Sequence, residues 1–388
     1  MEKIFVTSEL GLEECTANEL RGLGLLTSSR ATKTKRSQDN QTDDERGGVE
    51  FKGDLKAIYS ANLSLRTANR VLVRVGDFHA AAFSELRKKA SRLPWEQYLA
   101  PGQSVALKVT CHKSRLYHVN AVAERVIGAI GDHLGKLPLL NSFDDTVEEK
   151  PPQLFIVRMM QDHCTISADS SGELLHRRGY RLATAKAPIR ETLAAGVILA
   201  SGWDMESPLI DPFCGSGTIP IEAAQMACGI APGNARRFAF MDWPDFDLAL
   251  WEAVLADNKR RFVSRIPKIM ASDRDAGAIE MAYANAERAG VADYIEFSCQ
   301  AVSAIEPTGT GWVVTNPPYG HRVSARKDLR NLYAQFGNVL REKCPDWHVA
   351  ILCSELRLLG NTGMKLDTGL SLVNGGVAVK LARGIVKA

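Results

Sequence analysis

The sequence predicts an α/β chain: a doubly wound, mostly parallel sheet in the second half, preceded by two smaller α+β units. Three observations carry this. From about residue 190, short apolar runs alternate with longer helical stretches, the pattern of a parallel sheet covered on both faces. Before residue 170, strand-like runs such as Ser104-Val-Ala-Leu-Lys-Val-Thr110 alternate apolar and polar residues, the period of half-buried strands. Hydrophobic residues make up 45% and charged residues 24% of the 388, a globular balance rather than a disordered or fibrous one.

In chain order, Lys3-Ile-Phe-Val-Thr7 reads as a strand. Leu12, Cys15, Ala17 and Leu20 then give a helix its apolar side. Residues 27–48 are almost free of apolar side chains and read as a solvated loop. Val49-Glu-Phe51 resumes a strand and completes a first unit, residues 1–58. The second unit, 59–170, holds the Arg66–Val75 and Ser104–Thr110 strands. Its helix carries Val119, Val122, Val126, Ile127 and Ile130, and residues 141–152 form an acidic, proline-containing linker. Two further strands, Leu154–Val157 and Cys164–Ala168, are joined by the turn Gln161-Asp-His163. In 171–388 the strands are Pro208–Asp211, Lys268–Asp273, Tyr294–Phe297, Trp312–Thr315 and His348–Cys353. The tail carries Asn374-Gly-Gly376 between two extended runs, the mark of a hairpin.

The formal net charge is only +3. The basic excess lies in the first 190 residues, and the remainder is slightly acidic. No run approaches the roughly 18–20 apolar residues of a membrane span, and no signal peptide is visible. The eight cysteines include no C-x-x-C pair and the eight histidines do not cluster. No metal is therefore expected, and a reducing cytoplasm is the expected compartment.

Three motifs carry chemistry. Asp211-Pro-Phe-Cys-Gly-Ser-Gly-Thr218 follows the first strand of the sheet and opens a helix. Gly215 and Gly217 let the backbone turn and approach a ligand, and the helix start adds free N–H groups. No lysine follows the glycines, which disfavours a nucleotide phosphate. Pro220 stands where a dinucleotide fingerprint needs its third glycine. S-adenosylmethionine fits best. Asp273 closes the second strand, where a carboxylate can accept from both ribose hydroxyls; the competing reading is a helix cap, a role Asp275 can fill instead. Asn316-Pro-Pro-Tyr-Gly320 ends the fourth strand. Pro317 and Pro318 stiffen this loop. The Asn316 side-chain oxygen and the Pro317 carbonyl are two fixed acceptors for a planar NH₂ group, and Tyr319 can stack on the ring that bears it.

These residues resemble the class I S-adenosylmethionine-dependent methyltransferases, in particular the THUMP-domain RNA guanine-N2 methyltransferases. Leu175-His-Arg-Arg-Gly-Tyr-Arg181, Ala187–Ala194, residues 211–224, Ala231-Pro-Gly233 and Asn316–Gly320 occur in that family's order. The resemblance implies a ferredoxin-like unit, a THUMP domain that grips RNA, and a seven-stranded catalytic sheet ending in a hairpin. It places Asp211, Cys214, Gly215, Gly217 and Thr218 along the cofactor, Asp273 at its ribose, and Asn316 to Tyr319 at the target base. It also implies that Pro188, Arg190 and Glu191, in the segment leading into the catalytic domain, border the cofactor. The third strand lacks the acid that many relatives direct at the adenine, so backbone near Ala301 and Val302 is expected there. One catalytic domain, and no second, is the expectation for these 388 residues.

The basic clusters expected to meet RNA are Arg87-Lys88-Lys89, Arg177-Arg178 beside Arg181, and the stretch from Arg322 through Arg326 to Arg330. A guanine in a duplex hides its amine, so the target must be single-stranded or flipped out. The expected substrate is large-subunit rRNA, with tRNA a close variant. The alternatives are a DNA adenine-N6 methyltransferase, a protein glutamine methyltransferase, and a catalytically silent RNA-binding assembly factor.

Overall fold

The computed structural model describes residues 1–26, 47–141, 151–181, 189–263, 265–319 and 326–387, without the side chains of 326–328. Most of the polar loop 27–48 and of the linker 141–152 therefore lies outside the described residues.

The first half forms one sheet. Its strands are β1 (Glu2–Ser8), β2 (Gly48–Gly53), β3 (Ala68–His79), β4 (Ser104–His112), β5 (Leu139–Leu140), β6 (Gln153–Met160) and β7 (His163–Asp169). They lie in the order β2-β1-β3-β7-β6-β4-β5. The long strand β3 pairs antiparallel with β1 on one side and β7 on the other. The two α+β units thus share a continuous sheet, and the division expected at 58/59 falls inside helix α2 (Leu55–Ser64). Helices α1 (Glu13–Gly22), α3 (Phe83–Ala90) and α4 (Val119–Leu134) complete this half. Asp54 caps α2 by accepting from the Ala57 N–H. In the β6–β7 turn, Gln161 (φ +50°) and Asp162 (φ +64°) are both left-handed, as a two-residue hairpin loop requires.

The second half is the expected doubly wound sheet. Its strands are β8 (Leu209–Asp211), β9 (Ile269–Asp273), β10 (Ile295–Cys299), β11 (Trp312–Thr315), β12 (His348–Cys353), β13 (Asp367–Asn374) and β14 (Val377–Ile385). The order is β10-β9-β8-β11-β12-β14-β13. The first five run parallel, and the terminal hairpin adds β14 antiparallel to β12. Gly375 (φ +57°) and Gly376 (φ +83°) make its turn. The helices are α5 (Glu191–Ser201), α6 (Thr218–Ala227), α7 (Leu248–Lys259), α8 (Ala276–Arg288), α9 (Arg326–Lys343) and α10 (Leu356–Asn361). In this order the strand connection reverses direction between β8 and β11, so a crevice opens outside their carboxyl ends.

Two apolar cores form, and they do not divide at residue 170. One fills the parallel sheet. The other fills the first sheet but also contains Ala231, Phe238, Phe240, Trp243, Trp251 and Val254, which lie between β8 and β9 in sequence. Tyr59 on α2 stacks on Phe240 at 4.4 Å and meets Trp251 edge-on at 6.0 Å. The Tyr59 hydroxyl accepts from the Asp247 N–H at 3.0 Å, and the Gly233 N–H donates to the Leu63 carbonyl at 2.9 Å. Burying these large rings across the boundary fixes the two halves together. Among the described residues, no helix is long and apolar enough to cross a membrane and no His/Cys/Asp/Glu group could hold a metal.

Candidate active site

The crevice is walled by the loops after β8, β9, β10 and β11. Asp211 ends β8 and is 1% exposed. Its Oδ1 accepts from the Thr315 hydroxyl at 2.6 Å and from the Phe213 N–H at 3.2 Å. Burial pushes its carboxyl up to about 7, against these two hydrogen bonds and with a small contribution from the Asp273 charge. Thr315 is the last residue of β11, so this bond ties the glycine loop to the base of the Asn316–Tyr319 loop.

The loop then turns sharply. The Cys214 N–H donates to the Ser272 carbonyl at 3.0 Å, and the Gly217 N–H to the Cys214 carbonyl at 2.8 Å. Gly217 (φ +83°) begins α6, and a Cβ there would stand 2.9 Å from the Ala282 Cβ; this glycine serves helix packing. Gly215 (φ +51°) is different, because a Cβ there would meet nothing within 4 Å. Its backbone faces open space, which suits close approach by a ligand. The Gly215 N–H donates to Asp273 Oδ2 at 3.1 Å, and Asp273 Oδ1 accepts from the Asp275 N–H at 3.1 Å. The cap of α8 is Asp275, which accepts from the Gly277 and Ala278 N–H groups at 2.9 and 3.4 Å. The capping role is thereby filled without Asp273, whose remaining lone pairs stay available at the strand end. Cys299 at the end of β10 is in register with Asp273, and exposed Ala301 follows two residues later. Asp211, Cys214, Gly215, Asp273 and Ala301 thus meet at one edge of the crevice. A nucleoside carrying an amino-acid chain fits this set: open backbone for the chain, and a carboxylate for vicinal hydroxyls.

Across the crevice, Asn316 follows Thr315. Its Oδ1 is buried and has no hydrogen-bond partner. An unfilled buried acceptor costs about 1–3 kcal/mol, so its persistence marks a place where a donor is meant to arrive. Pro317 is buried and Pro318 exposed. The Pro318 carbonyl accepts from the Tyr333 hydroxyl of α9 at 3.4 Å. Tyr319 is 8% exposed, and its hydroxyl accepts from the Asn374 side-chain amide at 2.8 Å. The ring therefore presents only a narrow part of itself to a ligand.

Other expected residues are placed differently. Thr218 is buried, and its hydroxyl accepts from Arg181 at 2.5 Å. Arg190 caps α5 and donates to Glu9 of the first half at 3.0 Å. Pro188 and Arg322 lie outside the described residues, as does the side chain of Arg326, which begins α9. Arg178 requires a correction. It was expected to meet RNA, but it is 3% exposed, pairs with Glu222 at 3.5 Å, and donates to the Leu175 and Arg66 carbonyls. It is a structural cation, because a guanidinium this enclosed cannot reach a phosphate. Arg177 is part-exposed, 3.4 Å from Glu173. In the Arg87 cluster, Arg87 makes a two-pronged pair with Asp132 at 2.7 Å, and Lys89 binds Glu85 at 2.5 Å; Lys88 is exposed.

The sequence reading missed a polar strip on α6. Thr218, Glu222 and Gln225 lie on one helical face. They accept respectively from Arg181, from Arg178 and Tyr180, and, through the Gln225 carbonyl, from Arg66. Arg178 and Arg181 were visible as a cluster, but Arg66, over 100 residues away, was not. The strip fastens the first half to the helix that begins at the glycine loop.

Comparison with known proteins adds the following. Residues 178–374 match the family described as RMKL-like, methyltransferase domain; 36–72 match the RlmL ferredoxin-like domain, and 80–169 the THUMP domain. The ribosomal RNA large subunit methyltransferase K/L of Methylococcus capsulatus is 34% identical over 97% of this chain, which spans only 50% of that protein. The "Putative RNA methyltransferase YpsC" of Bacillus subtilis is 34% identical over 96% of this chain and 93% of its own length. Among solved structures, "SMU.472, a putative methyltransferase complexed with SAH" superposes with a TM-score of 0.85 at 29% identity, covering 100% of this chain and 98% of that one. A predicted N6-adenine-specific DNA methylase from Listeria monocytogenes gives 0.83 at 32%, covering 98% and 95%.

Proposed function

The chain belongs to the THUMP-containing, RMKL-like methyltransferase family, and on that premise we propose that it methylates the exocyclic N2 amine of a guanine in large-subunit ribosomal RNA, in the cytoplasm. The observation that carries this reading is the buried, unpartnered Asn316 Oδ1. When bound, S-adenosylmethionine supplies a methyl group on an electrophilic sulfonium. Gly215 leaves room for its amino-acid end, Asp273 accepts from its ribose hydroxyls, and backbone at Ala301 and Val302 borders its adenine. Cys214 and buried Asp211 hold the loop that presents Gly215.

Asn316 accepts one hydrogen of the target amine and the Pro317 carbonyl the other. Held this way, the nitrogen would give up conjugation with its ring and direct its lone pair at the methyl carbon; the N–C bond would form as the C–S bond breaks, its electron pair returning to sulfur to leave S-adenosylhomocysteine. Tyr319 and Pro318 border the base. Once alkylated, the nitrogen is acidic enough to release its proton to water, so no general base is assigned. Exposed Lys88 and part-exposed Arg177 would meet phosphates.

The name of the K/L relative, of which this chain spans half, supports ribosomal RNA, and the THUMP match supports RNA over DNA. The deciding measurement is nucleoside mass spectrometry of ribosomal and transfer RNA from a deletion strain. Loss of N2-methylguanosine from large-subunit rRNA is expected; its loss from tRNA alone, or loss of a methyladenosine, would redirect the assignment. Asn316→Ala should lower turnover by roughly 100–1000-fold with little change in cofactor affinity. Normal turnover would refute the amine-acceptor role.

A further inference from the structure

We propose that Asn374, at the tip of the terminal hairpin, is a positioning residue for the target base, acting through Tyr319. The inference rests on the reading of the Asn316–Tyr319 loop given above.

Asn374 ends β13 and immediately precedes the Gly375-Gly376 turn, where an asparagine needs no function beyond its tolerance of turn geometry. Its side chain does more than that. Asn374 is 6% exposed, and its amide nitrogen donates to the Tyr319 hydroxyl at 2.8 Å, 55 residues away in sequence. Both partners are buried, so losing the donor removes a hydrogen bond where water cannot readily replace it. Anchoring the hydroxyl fixes the direction in which the ring extends from the backbone; turning of the ring about its own long axis is limited by the packing around this buried side chain. The same loop also receives the Tyr333 hydroxyl on its Pro318 carbonyl. With Thr315 bonded to Asp211, the loop is pinned at its base, middle and end. Asn316 lies between the first two of these bonds, which restrict the backbone that carries its acceptor.

The hairpin itself is braced. Gly11, in the β1–α1 loop of the first half, packs so closely that a Cβ there would stand 2.2 Å from the Ser371 carbonyl of β13 and 3.1 Å from Leu372 Cδ2. Asn374 follows three residues later on that strand. The RNA-gripping half is thus in direct contact with the strand that positions Tyr319. Phosphate contacts set how tightly RNA binds, whereas placement of a flipped base affects the chemical step. Asn374 should therefore govern kcat more than KM.

The test compares Asn374→Ala, Asn374→Asp, Tyr319→Phe and Asn374→Ala/Tyr319→Phe in the full chain. The assay transfers methyl from labelled S-adenosylmethionine to large-subunit rRNA from a strain lacking the enzyme. Asn374→Ala should lower kcat about 3- to 10-fold, with the KM for RNA and the affinity for S-adenosylhomocysteine unchanged. Asn374→Asp keeps the turn preference and can accept from the tyrosine hydroxyl, so it should recover most of the loss. In the Tyr319→Phe background, Asn374→Ala should add nothing. An unchanged kcat, or an equal further loss in that background, would overturn the proposal. If Asn374→Ala does not fold, the comparison of Asn374→Asp with Tyr319→Phe decides: kcat unaffected by Tyr319→Phe refutes it. Should Asn316→Ala also leave turnover intact, the reading of the whole loop fails; should only the Asn374 and Tyr319 variants do so, the positioning role alone fails.

Discussion

Replacing Asp211 by Asn should remove a pH dependence of stability that the buried carboxyl imposes. Burial raises this group in the folded protein from 3.8 to about 7. A carboxyl with a raised folded pKa binds its proton more tightly when folded, so it favours the folded state at low pH. That advantage is lost as pH rises toward 7, because the charge must then be carried inside the protein. Each pH unit of that interval is worth 1.36 kcal/mol. Between pH 5 and pH 8 the native chain should lose on the order of 3 kcal/mol through this residue. Asparagine has nearly the same shape, and its side-chain oxygen can still accept from Thr315 and the Phe213 N–H. The measurement is urea unfolding of ligand-free wild type and Asp211→Asn at both pH values. The variant should gain on the wild type by about 3 kcal/mol as pH rises. A difference that is constant with pH, or one of opposite sign, would refute the argument that Asp211 resists ionisation in the fold.

Three further outcomes follow from the geometry. Gly217→Ala adds a Cβ 2.9 Å from Ala282 at φ +83°; left-handed strain and overpacking should together cost about 2–4 kcal/mol, visible as a lowered unfolding midpoint, while Gly215→Ala should weaken S-adenosylhomocysteine binding more than it weakens the fold. Lys88→Glu should reduce RNA affinity and make the salt dependence of log K shallower by about one or two, with cofactor affinity unchanged; an unaltered salt slope would remove Lys88 from the interface.

The second half was legible because its local signals agree. Gly215 and Gly217 after a short apolar strand, Asp273 at the next strand end, and Asn316-Pro-Pro-Tyr319 at the fourth each imply a crevice at the carboxyl ends of parallel strands. Asn374-Gly-Gly376 gave the hairpin for the same reason: one turn geometry accepts that triplet. What could not be read depends on distant partners. Arg177 and Arg178 are adjacent and chemically identical, yet one is part-exposed and the other pairs with Glu222 in the interior. Arg66 and Asn374 were visible as residue types, but their functions depend on neighbours 159 and 55 positions away. The division near residue 58 was read from the local succession of strand, helix and strand, whereas β3 pairs with strands of both units, a relation set by topology.

The aromatic segment from Phe238 to Trp251 has a consequence for how the chain is made. The first half cannot close its own core from its own residues, since Tyr59 and its neighbours await rings encoded nearly two hundred positions later. At synthesis rates of about 5–20 residues per second, the emerging first half spends on the order of ten seconds or more with an apolar face uncovered. By the time that face is sealed, the ribosome has already made the strand that carries Asp211 and the helix behind it. A cut between the halves would therefore yield two sticky fragments rather than two domains.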